Sequence, residues 1–156
     1  MQQKLKINEY IFEIKQNNIH NAYLEYSFDK IQCSNFKDGK KINTNLIDSI
    51  NFQISGIDEN NKEAYLSFLI KTNLKELNKY TNKPIDITNY LVEGELIVKE
   101  PPEDLFDFLD FYSSKNTIDD MYNHISNLYV FKICENNFIF KLSIPNEVFL
   151  CFKVKF

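Results

Sequence analysis

The chain has 156 residues and a net charge of −4 at pH 7, and all 18 of its basic side chains are lysine. Its apolar fraction of 44% excludes a disordered chain, and its short apolar runs exclude a transmembrane helix. Because arginine is the usual side chain for reading guanine and gripping phosphate with two parallel hydrogen bonds, its absence disfavours sequence-specific nucleic-acid binding.

The length predicts a single globular domain spanning residues 1–156. The first residues lack the apolar stretch of a signal peptide, and the cysteines Cys33, Cys134 and Cys151 are odd in number and widely spaced. Both features predict reduced thiols and a cytoplasmic protein with no membrane association. The abundance of Lys, Asn and Ile, whose codons are rich in A and T, indicates an A/T-rich bacterium or one of its mobile elements.

The N-terminal half predicts strands followed by a short helix. Apolar and polar residues alternate in four segments, which start at Tyr10, Ala22, Ile50 and Ala64. Asp38-Gly39 is typical of a tight turn. Thr72 is expected to cap a helix over residues 73–80, and residues 92–99 predict a fifth strand in which Gly94 marks a bulge.

The apolar period then changes to that of a helix. Over residues 101–112 the apolar side is formed by Leu105, Phe108, Leu109 and Tyr112. Pro101-Pro102 suits the start of a helix. A second helix is expected after Thr117, with Asp120 at the third position of a weak capping box and an apolar stripe that ends at Leu128.

The C-terminal third predicts an antiparallel meander of three strands, over residues 128–134, 138–144 and 148–156. Glu135-Asn136-Asn137 and Pro145-Asn146 supply turn residues between them. The predicted fold class is α+β: a predominantly antiparallel β-sheet, either a sandwich or strongly curved, of about seven or eight strands with two or three short helices.

The sequence contains no recognisable catalytic motif, so we expect a protein that is not an enzyme. Its imidazoles are His20 and His124, and neither lies in a known motif. Cys134 and Cys151 fall on predicted strands where they could approach each other, but small buried side chains are the simpler interpretation. No glycine-rich phosphate loop and no close set of metal ligands is present in the sequence, so no cofactor and no metal are predicted.

The charge of the chain is uneven. Residues 93–120 carry nine carboxylates and two lysines. Such a segment can engage the basic groove of a nucleic-acid-handling protein, steered by complementary potential, although a solvated helix face is the simpler alternative. The candidate partner-binding residues are Glu93, Glu95, Glu100, Glu103, Asp104, Asp107 and Asp110.

A smaller set of lysines lies on the C-terminal strands. These residues, predicted to share one basic face, are Lys132, Lys141, Lys153 and Lys155. Lysines on such a face could contact nucleic acid with help from neighbouring aromatic rings. Outward lysines also protect sheets from edge aggregation, so a solvated face is the competing interpretation.

These features favour a non-catalytic protein-binding module of inhibitor, immunity or adaptor type, which uses the acidic segment to bind a protein partner with a basic surface. The alternative is a small-molecule-binding or structural β domain with an aromatic-lined pocket. An uncharacterised enzyme is a third hypothesis. The sequence leaves the oligomeric state open, and a homodimer is compatible with it.

Overall fold

The computed structural model describes residues 3–6, 11–15, 17–100, 105–113 and 123–156. Within these ranges the side chains are described over 11–15, 17–32, 38–40, 45–99 and 126–156. The strands are β1 (Gln3–Lys6), β2 (Ile11–Ile14), β3 (Asn17–Asn18), β4 (His20–Lys37), β5 (Lys40–Ile57), β6 (Glu63–Ile70), β7 (Ile85–Asp86), β8 (Leu91–Glu100), β9 (Leu105–Ser113), β10 (Asn123–Cys134), β11 (Asn137–Ile144) and β12 (Val148–Lys155).

The strands form two sheets that share β10. Their order is β1-β4-β5-β6-β8-β9-β10-β11-β12-β2-β3, with β7 beside β10. Residues 123–126 of β10 pair in parallel with β9, and residues 127–134 pair antiparallel with β11. We call the strands on the β1 side the N-terminal sheet and those on the β11 side the C-terminal sheet. The predicted predominance of antiparallel pairing is confirmed, with more strands than the seven or eight expected.

The hydrophobic core lies between the inner faces of the two sheets. Apolar and polar residues alternate along the strands, so every second side chain points inward. Phe52 of the N-terminal sheet lies 5.2 Å from Phe140 and 5.7 Å from Phe152 of the C-terminal sheet, between ring centroids. Phe68 reaches Phe152 at 6.2 Å. Interlocked aromatic rings therefore hold the sheets together.

The predicted C-terminal meander is confirmed. β10 pairs with β11, and β11 pairs with β12 along its whole length, from Asn137 opposite Lys155 to Ile144 opposite Val148. Asn136 and Asn146 take positive φ values of 62° and 64° in the two turns. Asparagine tolerates this left-handed region better than most residues, which is why these positions turn the chain.

The helix predicted over residues 101–112 is wrong where the chain is described, because residues 105–113 form β9. This strand pairs with β8 from Gly94 opposite Phe111 to Glu100 opposite Leu105. Aromatic residues fit the pleated surface of a strand well, and a free sheet edge overrides weak helical periodicity. The second predicted helix is also wrong from residue 123 onward, where β10 begins, and its start at Thr117 lies outside the described residues.

Helical structure among the described residues is limited to α1 (Leu74–Leu77) and a single 3-10 turn (Thr88–Tyr90). The helix predicted over 73–80 is present but shorter. Its cap is Asn73, not Thr72: the Asn73 side chain accepts a hydrogen bond of 2.8 Å from the backbone N–H of Glu76. The bulge predicted at Gly94 lies two residues earlier: Gly94 pairs regularly with Phe68, and the β6–β8 register skips Val92.

Polar contacts attach the segment between β6 and β8 to the meander. Asn78 and Asn136 exchange two hydrogen bonds: the Asn78 amide donates to Asn136 Oδ1 at 2.8 Å, and the Asn136 backbone N–H donates to Asn78 Oδ1 at 2.9 Å. Nearer β10, Thr88 Oγ1 accepts from the backbone N–H of Leu128 at 2.9 Å. These contacts fix α1 and the 3-10 turn against the C-terminal sheet.

The β4–β5 hairpin extends beyond the rest of the N-terminal sheet. β1 pairs with β4 as far as Tyr26, and β6 pairs with β5 from Ile50 onward. Among the described strands, residues 29–37 and 40–49 pair with each other and with no third strand. Asp38 and Gly39 turn the chain at the tip with φ values of 53° and 76°, as the sequence predicted. We call residues 29–49 the arm.

Candidate functional site

The carboxylates predicted to bind a partner lie on neighbouring strands where the structure describes them. Three belong to β8 and two to β9; in chain order they are Glu93, Glu95, Glu100, Asp107 and Asp110. Glu103 and Asp104 lie outside the described residues. The register places Glu95 opposite Asp110, so strand pairing, and not a helix face, brings carboxylate-bearing positions together.

A polar row crosses the N-terminal sheet through Glu95. The register pairs Glu25 with Gln53, Gln53 with Ser67, and Ser67 with Glu95. A buried core residue flanks each of them along its strand. Because successive side chains of a strand point to opposite faces, the row lies on the outer face of the sheet.

Two shallow depressions lie on this outer face. One, of about 340 Å³, includes Glu25, Gln53, Ser67 and Glu95 in its lining. The other, of about 280 Å³, adds Glu93 and Asn51. Short serine side chains between longer carboxylates and amides leave this surface recessed. We call it the acidic face, defined by Glu25, Asn51, Gln53, Ser67, Glu93 and Glu95.

A further carboxylate borders the acidic face. Tyr65 donates a hydrogen bond of 2.9 Å from its hydroxyl to Glu63 Oε2. This hydrogen bond, with a smaller contribution from burial, raises the pKa of Tyr65 above its ordinary value of 10.0. Lys99 stands opposite Glu63 in the register, four residues along β8 from Glu95. Positive charge on β8 is therefore set apart from Glu93 and Glu95.

The four lysines predicted to form a basic face do not share one surface. Lys141, Lys153 and Lys155 are exposed at outward positions of β11 and β12. Lys132 instead shares the inward phase of the buried Val130, and only 17% of its side chain is exposed. Its ammonium donates a hydrogen bond of 2.6 Å to the carbonyl oxygen of Asn78 at the end of α1. The prediction for Lys132 is wrong because the alternation along β10 places it inward.

Cys134 and Cys151 do not meet. Cys134 is exposed at the end of β10, opposite Asn137, whereas Cys151 is half-buried on β12, opposite Lys141. Strand β11 separates them. His20 is exposed with its Nε2 3.9 Å from Glu59 Oε1, and His124 lies near the start of β10. This arrangement gives neither described thiol an imidazole partner of the kind that activates a nucleophile.

Two further features concern ions and membranes. Among the side chains that the structure describes, no group of three or more His, Cys, Asp or Glu is placed to hold a metal ion. The helices in the described ranges are too short and too polar to cross a membrane.

No protein-family model matches the chain, and no curated protein and no solved structure matches it either. A functional proposal for this chain therefore depends on its own geometry and charge.

Sequence reasoning found two residues of the acidic face and missed four. Glu93 and Glu95 were predicted; the residues missed are Glu25, Asn51, Gln53 and Ser67. A signal existed on β5, where polar residues alternate with the buried Ile50 and Phe52. That alternation marks an outward face but leaves open which strand lies beside it, and the cross-strand register supplies this information.

Proposed function

We propose that the protein is a non-catalytic protein-binding module of inhibitor, immunity or adaptor type that docks a basic protein surface against the acidic face. We further propose that it acts in the cytoplasm of an A/T-rich bacterium or belongs to a mobile element of one. The supporting observation is the outward row from Glu25 through Gln53 and Ser67 to Glu95, with its recessed surface.

The row suits lysine or arginine side chains of a partner. Glu93 and Glu95 would attract cations, and the amide and hydroxyl groups beside them in the row can both donate and accept hydrogen bonds. Charges of one sign on an interface raise the association rate and exclude partners of the same sign. The antiparallel sheet beneath is backed by core residues, so the row is presented on a rigid surface.

A lysine-rich peptide is a direct probe of this proposal. We expect it to bind the wild-type protein in a fluorescence anisotropy titration, with affinity that falls as salt rises. The double variant Glu93→Lys/Glu95→Lys should bind about tenfold more weakly, since attraction is replaced by repulsion at two positions.

The matched control is Glu59→Lys/Glu135→Lys. Both carboxylates are highly exposed, with 87% and 72% of their side chains accessible, and both lie away from the acidic face. The control changes the net charge by the same amount. Equal weakening by the two double variants would show that the peptide senses net charge alone, and the proposal would fail.

A second candidate function is small-molecule binding, favoured by an apolar depression on the C-terminal sheet. It has a volume of about 380 Å³ and is lined by Pro84, Tyr129, Val130, Phe131, Ile139 and Lys141. Depressions with aromatic walls and one cation suit a flat apolar molecule that carries an acidic group.

Native mass spectrometry of the purified protein tests this alternative. A bound apolar ligand should appear with the wild-type protein and be lost from Tyr129→Ala. Tyr23→Ala is the matched control, because Tyr23 is exposed to a similar extent on the other sheet, 38% against 40% for Tyr129. A ligand-free spectrum of the wild-type protein, or a ligand retained by Tyr129→Ala, contradicts this function.

A further inference from the structure

The arm departs from the rest of the chain in its charge pattern. Between Ile31 and Ile47, charged residues occur only at the tip: Lys37, Asp38, Lys40 and Lys41. The tip therefore carries a net positive charge of two, whereas the rest of the chain is more negative than the whole. Nearer the base, Lys30 lies 3.9 Å from Asp48, which also accepts a hydrogen bond from the Asn73 amide at 3.1 Å.

The arm also lacks the support that stabilises the other strands. A two-stranded hairpin by itself is marginally stable in water. Leu46 is 68% exposed on the arm, whereas the core residues of the same strand, Ile50 and Phe52, are fully buried. Both edges of the arm present backbone groups that no described strand pairs. A partner that receives the arm would therefore stabilise it.

We propose that the arm docks in the major groove of double-stranded DNA, with the lysine positions 37, 40 and 41 of its tip beside the phosphate backbone. The major groove, about 12 Å wide, admits a two-stranded β-ribbon. Residues 31–36 and 42–45 carry no charge and include Asn35, Asn43 and Asn45, which suits close approach to a polar groove. Lysine supplies phosphate contacts as point charges, so binding is independent of base sequence.

The tip can bind a polyanion although the whole protein is negatively charged, because the tip lies far from the carboxylates of the sheet. From the pair Asp29–Ser49 to the pair Lys37–Lys40 the arm spans roughly 26 Å, at about 3.3 Å per residue. At physiological ionic strength the Debye length is about 8 Å. The tip therefore lies about three screening lengths from the carboxylates of the sheet, and a polyanion at the tip experiences mainly the local lysines.

Fluorescence anisotropy with a short labelled duplex DNA of random sequence tests the proposal. With two or three phosphate contacts, affinity should fall about 10- to 40-fold between about 50 and 200 mM salt. Lys37→Glu/Lys40→Glu/Lys41→Glu should lower affinity at least tenfold. The matched control, Lys141→Glu/Lys153→Glu/Lys155→Glu, makes the same charge change on the outer face of the C-terminal sheet and should have a smaller effect.

A variant with a shortened arm tests whether DNA binding depends on the length of the arm as well as on its lysines. Deleting residues 31–34 and 44–47 removes four consecutive register pairs and keeps the face of every remaining side chain. All three tip lysines stay, but the tip moves about 13 Å closer to the body. We expect the affinity for DNA to fall while the thermal midpoint stays near that of the wild-type protein, since the deletion lies outside the core.

Four results of the binding experiments would overturn the proposal. They are absence of wild-type binding to the duplex at low salt, equal loss in the two triple variants, full affinity in the short-arm protein, and equal or tighter binding of single-stranded DNA or duplex RNA. Light scattering on the same samples addresses the competing occupant. A wild-type dimer that the arm deletion converts to a monomer would assign the arm to a second copy of the chain and contradict DNA binding.

Discussion

The arm and the C-terminal meander are both built from antiparallel hairpins with turns of left-handed residues, yet they differ in what lies against them. In the meander, the inward residues Phe140 and Phe152 stack at 5.4 Å and pack on Phe52 of the other sheet. In the arm, the pairing of Gln32 with Leu46 continues with no third strand beside it in the described chain. Backbone hydrogen bonds pair the strands in both hairpins. The meander and the arm therefore differ in the packing of their side chains.

The sequence divides the β4–β5 hairpin into two parts. Along β4 and β5 buried residues alternate strictly with more exposed ones only where the strands cover the core, from Ala22 to Tyr26 and from Ile50 to Ile54. Beyond Phe28 the alternation is lost, and polar residues occur on both faces of the arm. A segment that buries no face contributes little to global stability and is available for contact with a partner.

The largest expected effect is on the free energy of unfolding, when one side chain is truncated in the core or on the arm. Phe52→Ala removes a buried ring that contacts Phe68, Phe140 and Phe152. We expect the free energy of unfolding to fall by about 3–5 kcal/mol, because a cavity remains between the sheets. Leu46→Ala on the arm should change it by less than about 0.5 kcal/mol. Urea denaturation of both variants measures the contrast, and comparable losses would contradict it.

Much of the fold was predictable because alternation reports burial directly. It predicted β4, β5, β6, β8 and the meander from local residues alone. It was insufficient for β9, where Leu105, Phe108 and Leu109 satisfy a helical period while Phe106 and Phe108 also satisfy a period of two. The unpaired edge of β8 decides between them, and an edge is a property of the assembled sheet.

The acidic face was less predictable than the fold for a related reason. Glu93 and Glu95 stand in a sequence segment rich in carboxylates, but Glu25 comes from β4, three strands away in the sheet. No local pattern joins residues that meet only through register. Lys132 illustrates the opposite case: its inward phase was readable from Leu128 and Val130, and the prediction of an outward face misapplied that alternation.

An intermediate effect is expected where the meander is tied to the segment that contains the 3-10 turn. Thr88 is buried, its hydroxyl accepts from the backbone N–H of Leu128 at 2.9 Å, and it donates to Asp86 Oδ1 at 2.5 Å. Thr88→Val keeps the shape but leaves that N–H and carboxylate oxygen without this partner. We expect a loss of about 1–3 kcal/mol in the free energy of unfolding, measured by urea denaturation.

Thr88→Ser is the matched control, because serine retains the hydroxyl and loses one methyl group. We expect it to be less destabilising than Thr88→Val. If the serine variant proved the less stable of the two, packing of the methyl group would dominate, and the hydrogen bond to β10 would not be the main contact.

A smaller, local effect is expected at the tip of the arm. Gly39 adopts a φ of 76°, which costs a residue with a side chain about 1 kcal/mol relative to glycine. A methyl group added there would meet no described atom within 4 Å, so backbone strain is the whole effect. Gly39→Ala should therefore speed amide hydrogen exchange in residues 31–47 about fivefold and leave exchange in β11 unchanged. Equally faster exchange in β11 would show that arm and meander open as one unit.

The smallest effect is a change in stability at alkaline pH, and it arises in the segment between β6 and β8. Burial, together with a hydrogen bond to Tyr90, raises the pKa of Tyr80 from 10.0 to about 12. The folded state therefore favours the neutral phenol. This contribution to stability is complete below pH 10 and is lost as the pH rises from about 10 to about 12.

Ultraviolet difference titration of tyrosinate isolates this group when the curve of Tyr80→Phe is subtracted from that of the wild-type protein. In a Tyr90→Phe background the titration of Tyr80 should move to lower pH yet stay above 10, because burial is the larger cause. A Tyr80 titration at its ordinary pH in the wild-type protein would mean that water reaches the phenol. The segment between β6 and β8 would then open as readily as the arm, and the contrast between a packed and an unpacked region would apply to the core strands alone.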